Sequence, residues 1–227
     1  MDKRLIFCLG FVFVLLFVST AYYVISGKKD TTNEKKDTKD VLENSKKQND
    51  NLIVDDGKVL VVYFSRAYEN YNVGNVEIGN TAVMASYIID YLRADSFEIV
   101  PLKEYPKDYN TMVTLAKQEQ ETSARPAIKS ILTNLKDYDI VFLGYPIWHG
   151  DMPMIVYTFL ETYDLKGKII IPFNTSEGSG NAGTYEKIKN KLINSNVNDN
   201  GFYLQGSVAR TEEGKVQTIN WLKSLGY

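Results

Sequence analysis

Beyond residue 57, three stretches are apolar at consecutive positions through their middle rather than at alternate ones: Val59 to Phe64, Asp139 to Gly144, and Lys168 to Phe173. A strand built from such a stretch must hide both faces, so its sheet needs cover on both sides. Segments of helical spacing lie between them. One begins at Asn80 or Thr81, with Met84, Ile88 and Leu92 on a common face and Ala85 and Ile89 beside them. Two further strands are expected, Ser96 to Leu102 and Phe202 to Val208. Helices are expected at Tyr109 to Glu121, Pro126 to Leu135 and Tyr185 to Leu192, and after Pro153, which suits a first helical turn. A last helix is expected from Thr211, with Glu212 and Glu213 in its first turn and an apolar face of Val216, Ile219 and Leu222. Strand and helix alternate throughout. The pattern predicts an α/β fold, a five-stranded parallel sheet covered on both sides. Such sheets bind ligands beyond the carboxyl ends of the strands, where strand order reverses.

The first 57 residues have a different character. Leu5 to Ile25 is uncharged and mostly apolar, between Lys3-Arg4 and Lys28-Lys29-Asp30. A membrane-spanning helix needs about 20 such residues, and Gly10 is tolerable within one. Tyr22 and Tyr23 fall where an interfacial aromatic belt would lie. Lys3 and Arg4 favour a cytoplasmic N-terminus, and Lys28-Lys29 weaken that bias. The alternative is a cleaved signal peptide with Ser19-Thr20-Ala21 as its small-residue site. The apolar stretch before Cys8 is too short for a lipoprotein signal. The expected organisation is an anchor or signal segment over 1–27, a charged tether over 28–57, and a folded domain over 58–227. The domain is then expected outside the cell membrane on a single-pass anchor, or secreted if the segment is cleaved.

The single cysteine, Cys8, leaves no partner for an internal disulfide, and the single histidine, His149, leaves little for transition-metal chemistry. A net charge of −2 gives no sign of a nucleic-acid partner. Chemistry in such a chain belongs to a bound cofactor.

Three loops stand at the carboxyl ends of the long strands. The first starts with Ser65-Arg66 and ends with Gly79-Asn80-Thr81 at a helix start, where hydroxyls and free N–H groups suit a phosphate monoester. Simple helix capping by Asn80 or Thr81 would explain the same residues. The second, Gly144 to Asp151, crowds Tyr145, Trp148 and His149 together. An exposed tryptophan there is suited to stack on a flat heterocycle, or it folds back onto the core. Gly150 permits backbone conformations closed to other residues, as a peptide that reorients with cofactor redox state would need. The third, Asn174 to Asn181, offers hydroxyls and glycines that permit close backbone approach to a ligand. No P-loop lysine and no G-x-G-x-x-G follows the first strand.

Together, Val61 to Arg66, Gly79 to Thr81, Gly144 to Gly150 and Asn174 to Gly180 resemble the flavodoxin-like family, and more narrowly a bacterial flavodoxin subgroup with an expanded phosphate loop. The resemblance runs from Lys58 to Tyr227. It implies a three-layer sandwich of strand order 2-1-3-4-5 and bound FMN. It implies that Ser65, Arg66, Asn80 and Thr81 surround the phosphate, that Pro146, Ile147, Trp148, His149 and Gly150 line the isoalloxazine, and that Thr175, Ser176, Glu177 and Gly178 close the other side. Many relatives carry two tryptophans where this chain has Trp148-His149, and Ala67 to Ile78 enlarges the phosphate loop. Asp151 and Glu177 are candidates to disfavour the anionic reduced flavin electrostatically. Arg125 either reaches the site or pairs at the surface. The expected function is electron transfer with redox partner proteins or a small acceptor; the alternative is an FMN-dependent NAD(P)H:quinone or small-acceptor reductase. An imidazole ordinarily titrates near a pH of about 6.5, so His149 could make the flavin potential pH-dependent.

Overall fold

The computed structural model describes residues 57–227. The expected anchor, and all but the last residue of the expected tether, lie outside the described residues. Among the described residues no helix is long and apolar enough to cross a membrane.

The first strand, β1 (Val59–Tyr63), lies between β4 (Asp95–Glu98) and β5 (Ile140–Pro146), and β5 pairs in turn with β6 (Ile169–Ser176), all parallel. Beyond β6 the sheet has two short strands. One, β7 (Asn196–Val197), pairs with Ile169 and Ile170, and β8 (Phe202–Gln205) pairs with Phe173 to Ser176. Strand order is therefore 2-1-3-4-5, with the fifth place shared by two pieces.

Consecutive apolar residues bury to opposite sides, as two-faced strands require. Leu60, Val62, Phe64, Val141, Leu143 and Tyr145 join one core with Ile155 and Phe159 of α3 (Met154–Thr162) and with Tyr185 and Ile188 of α4 (Thr184–Lys191). Val61 and Phe142, also fully buried, face the other way, and the Phe142 ring meets Trp221 edge-on at 5.8 Å. That second side is covered by α1 (Asn80–Leu92), through Met84, Ala85 and Ile88, and by α6 (Glu212–Ser224).

The structure corrects several expectations. Pro126 to Leu135 is not a helix; only a 3₁₀ turn, Leu135–Asp137, forms at its end. Instead Leu102 N–H donates to Ala127 O (2.8 Å) and Lys129 N–H to Val100 O (2.7 Å). The free edge beyond β4 gives this segment hydrogen bonds a helix would have supplied internally, and Pro126 disfavours helical backbone just before it. The strand β4 ends at Glu98, where its pairing with β1 stops opposite Tyr63, rather than at Leu102. The last strand stops at Gln205, and Gly206–Ala209 turns as the short helix α5. The buried face of α6 is Gly214, Thr218, Trp221 and Leu222; Val216 is 48% exposed. The enlarged first loop carries an unforeseen hairpin, β2 (Tyr68–Asn70) with β3 (Gly74–Val76).

Gly144 in β5 faces Phe173 across the ladder so closely that a Cβ would overlap the ring. Gly144→Ala is expected to lower stability by about 2 kcal/mol in urea unfolding; an unchanged midpoint would mean that the Phe173 ring swings aside freely.

Candidate functional site

A cavity of about 270 Å³ opens beyond the carboxyl ends of β5 and β6, just below the usual range of about 300–1,000 Å³ for small-molecule and cofactor sites. Pro146, Ile147, Trp148, His149 and Gly150 form one wall, and Thr175, Ser176 and Glu177 another. Asn80, the first residue of α1, and Gly206 of α5 also line it. The remaining wall comes from α2 (Tyr109–Glu121), through Tyr109, Met112, Val113 and Ala116, and from Asn70 and Tyr71 at the hairpin tip. Among the described residues no lysine or arginine lines it.

Most of the expected residues are thus brought together, and four are not on the wall. Thr81 stands behind it, its hydroxyl 2.8 Å from that of Thr175. Ser65 accepts a hydrogen bond from Ala82 N–H (3.0 Å), capping α1 from across the loop. Gly178 has φ 111°, in a turn beside the wall. Arg66 is the clearest correction. Its guanidinium is buried and donates to Pro106 O (2.6 and 3.1 Å), to Lys107 O (2.7 Å) and to Glu69 O. Those carbonyls use the fork that a phosphate would need. Burial holds its pKa below the ordinary arginine value.

The second loop is a tight turn. Trp148 and Asp151 exchange backbone hydrogen bonds of 2.7 and 3.0 Å, and His149 and Gly150 between them have φ of 48° and 72°. Both signs are those of a two-residue hairpin turn, which glycine adopts freely and histidine at a cost of about 1 kcal/mol. His149 Nε2 lies 2.9 Å from Val113 O, tying the turn to α2. Trp148 folds onto the core, its ring packing edge-on against Phe64 (5.3 Å) and Tyr105 (5.1 Å), and the residue also lines the cavity.

Other candidates lie elsewhere. The Tyr145 side chain is fully buried and its hydroxyl pairs with that of Thr184 at 2.8 Å. Asp151 is buried off the wall, bound by Tyr157 (3.1 Å) and by Lys187 (2.8 Å), so its charge is already answered. Arg125 forks onto Glu161 at 2.7 and 2.9 Å. That contact, joined by Lys191, draws the Glu161 carboxyl down to about 2. The pair stabilises the fold above the ordinary carboxylate range and loses that contribution as pH falls through about 2; its solvent exposure keeps the sum within about 1 kcal/mol.

Two features fit a phosphorylated, polar-edged ligand. The first N–H groups of α1 have no partner inside the helix, and Asn80 stands at that end. The Ser176 hydroxyl is buried beside the cavity with no hydrogen-bond partner among the described residues. Such a group ordinarily finds one.

The flavodoxin family model matches residues 58–223. The chain belongs to the flavodoxin family. Two solved structures, provisionally assigned as flavoproteins, come from Bacteroides eggerthii and Bacteroides uniformis. The first is 31% identical over 76% of this chain and 99% of its own, with a TM-score of 0.60. The second is 29% identical over 74% and 98%, with a TM-score of 0.60. A Lactobacillus acidophilus flavoprotein in complex with FMN shares the fold at 20% identity, over 67% and 95%, with a TM-score of 0.51. No curated protein matches.

Within this flavodoxin frame the sequence reading missed four groups, the first being Asn70 and Tyr71 at the tip of the unforeseen hairpin. The α2 wall was legible as an amphipathic helix but not as a wall. Gly206 comes so close to Asn80 and Glu177 that a Cβ would displace them. Arg210 reaches back to donate to Ile78 O (2.7 Å) and Asn80 Oδ1 (3.3 Å), fixing the start of α1 from far along the chain. Nothing local in the sequence marks that contact.

Arg66→Met is expected to destabilise the domain by about 2 kcal/mol, since it strips buried carbonyls of charged donors. Hydrogen exchange at the Tyr109 amide, which donates to Glu69 at 2.9 Å, should quicken with it. An unaltered unfolding midpoint would show that water replaces the guanidinium without loss.

Proposed function

We propose that the domain binds FMN in this cavity and serves as an electron-transfer flavoprotein, tethered outside the cell membrane by the apolar run Leu5 to Ile25. The observation that carries the cofactor is the junction of the Trp148 turn, the orphaned Ser176 hydroxyl and the start of α1 around one cavity, in a chain matching the flavodoxin model over 58–223. The relative crystallised with FMN supports it. The phosphate would be held by Asn80 and the α1 N–H groups, with Thr81 and Ser65 as supports behind. Ser176 and Thr175 offer hydroxyls to the polar edge, and Trp148 and Ile147 offer apolar cover. When bound, FMN accepts and returns electrons, and the protein sets its potential. Glu177 supplies the negative charge on the wall, since Asp151 is paired elsewhere.

A second reading, a reductase of small acceptors, is favoured by the aromatic rim that Tyr71 and Tyr109 add beyond the Trp148 turn.

Titration of the purified protein with FMN, followed by absorbance and tryptophan fluorescence, tests the cofactor. Saturable micromolar binding is expected, with Trp148→Ala weakening it about tenfold. Absence of binding would remove the redox reading and leave a ligand-binding module.

His149 lines the cavity and its Nε2 lies 2.9 Å from Val113 O, so the ring ties the turn to α2. His149→Phe, which loses that hydrogen bond, is expected to weaken FMN about fivefold in the same titration. Unchanged binding would dismiss the role of this side chain.

A further inference from the structure

The rim opposite the cavity, at the amino ends of the strands, carries a second concavity. A groove of about 440 Å³ runs between the 3₁₀ turn Leu135–Asp137, just before β5, and the segment Tyr163 to Lys168, which joins α3 to β6. Three lysines line it, Lys136, Lys166 and Lys168, against one carboxylate, Asp164, which accepts the Lys166 N–H at 3.0 Å. Lys168 is the unusual member. The residue is only 9% exposed, and its ammonium donates to Tyr138 O. Among the described residues none of the three has a carboxylate partner. Neighbouring carboxylates are taken up elsewhere, Asp95 by the Lys58 ammonium (3.3 Å) and Asp139 by the Lys58 N–H (3.1 Å). A buried ammonium answered only by a carbonyl calls for an anion.

Two further observations say which anion. The groove is flanked by two large aliphatic side chains left in water. Ile131, 79% exposed, precedes Leu132 of the groove wall. Ile193, 81% exposed, precedes Asn194, whose carbonyl accepts the Gly167 N–H between two of the lysines (2.8 Å). A free phosphate ion makes no use of such side chains. A bilayer surface does, since lysines meet its phosphates while aliphatic side chains enter the boundary beneath them. The chain also arrives at this rim: Lys58 stands just before β1 and beside Asp139, so the segment that carries the apolar run Leu5 to Ile25 joins the domain at this end.

We propose that this groove docks the domain on a bilayer surface rich in anionic phospholipid. Lys136, Lys166 and Lys168 take headgroup phosphates, and Ile131 and Ile193 enter the interface. The cavity beyond β5 and β6 then faces away from the bilayer, open to a redox partner. The proposal rests on the tether proposed above, which keeps a membrane within reach.

The test is hydrogen exchange of the full-length protein carried in lipid nanodiscs, made of phosphatidylcholine alone or with about one third phosphatidylglycerol. The anionic discs are expected to slow exchange of segments 163–168 and 192–195 at least about threefold, and raised salt to cancel the difference. Lys136→Gln together with Lys166→Gln, both at exposed positions, should return the anionic discs to the neutral rate, and Ile193→Ser should remove most of the slowing. Equal exchange in the two kinds of disc, or slowing that survives the double lysine substitution, overturns the proposal. So does inorganic phosphate slowing the same segments equally in neutral discs, which would make the groove a site for the free ion. A protein that leaves the discs overturns the tether alone; anionic vesicles added to it in the same exchange measurement then decide the docking surface.

Discussion

The burial of β1, β5 and β6 on both faces is the constraint from which the rest of the domain follows. Leu60, Val61 and Val62 are each at most 1% exposed, as are Ile140 to Leu143. Each such side chain contributes about 1.5–3 kcal/mol when removed from water, against a conformational cost of about 1–2 kcal/mol per ordered residue. A strand of this kind has no stable existence with one face wet. It forces α1 and α6 onto one side and α3 and α4 onto the other, and the crossover helices in turn force the strands parallel. Parallel strands deliver all their carboxyl ends to one rim. The cavity lies at that rim because the core leaves it no other place.

This explains which parts were legible in the sequence. Runs such as Val59 to Phe64 and Ile140 to Leu143 announce themselves because burial on two faces dictates every residue, and α2 begins at Tyr109 and ends at Glu121 as its periodicity says. The segment after Pro126 was misread because Ile128 and Leu132 also fit a helical spacing; its true state depends on a free edge beyond β4 that only the assembled sheet provides. The face of α6 was misread for a similar reason. Gly214 and Thr218 face inward because small side chains let the helix approach closely, and hydrophobicity alone ranks Val216 above them.

At the site the same division holds. The loops directly continuing β5 and β6 brought Pro146 to Gly150 and Thr175 to Glu177 to the cavity as their motifs implied. The loop after β1 did not follow its motif so closely, because Arg66 sits next to the hairpin and finds the carbonyls of Pro106 and Lys107 within reach. An arginine beside a phosphate-loop motif reads as an anion ligand in a sequence; a buried fork bound to carbonyls is visible only once residues distant in the chain are side by side. Arg210 and Gly206 escaped notice on the same ground, since their partners Ile78, Asn80 and Glu177 belong to other loops.

The divided fifth place of the sheet has a consequence for how this domain behaves beside copies of itself. A long edge strand offers a continuous row of N–H and C=O groups on which another chain can assemble. Here β7 and β8 each cover only part of β6, and the interruption falls beside Pro172, which has no N–H to give. The outermost edge is two short pieces joined by Asn198 to Gly201. A second molecule meeting that edge finds no uninterrupted ladder to extend, so edge-to-edge aggregation lacks a template on this side of the sheet.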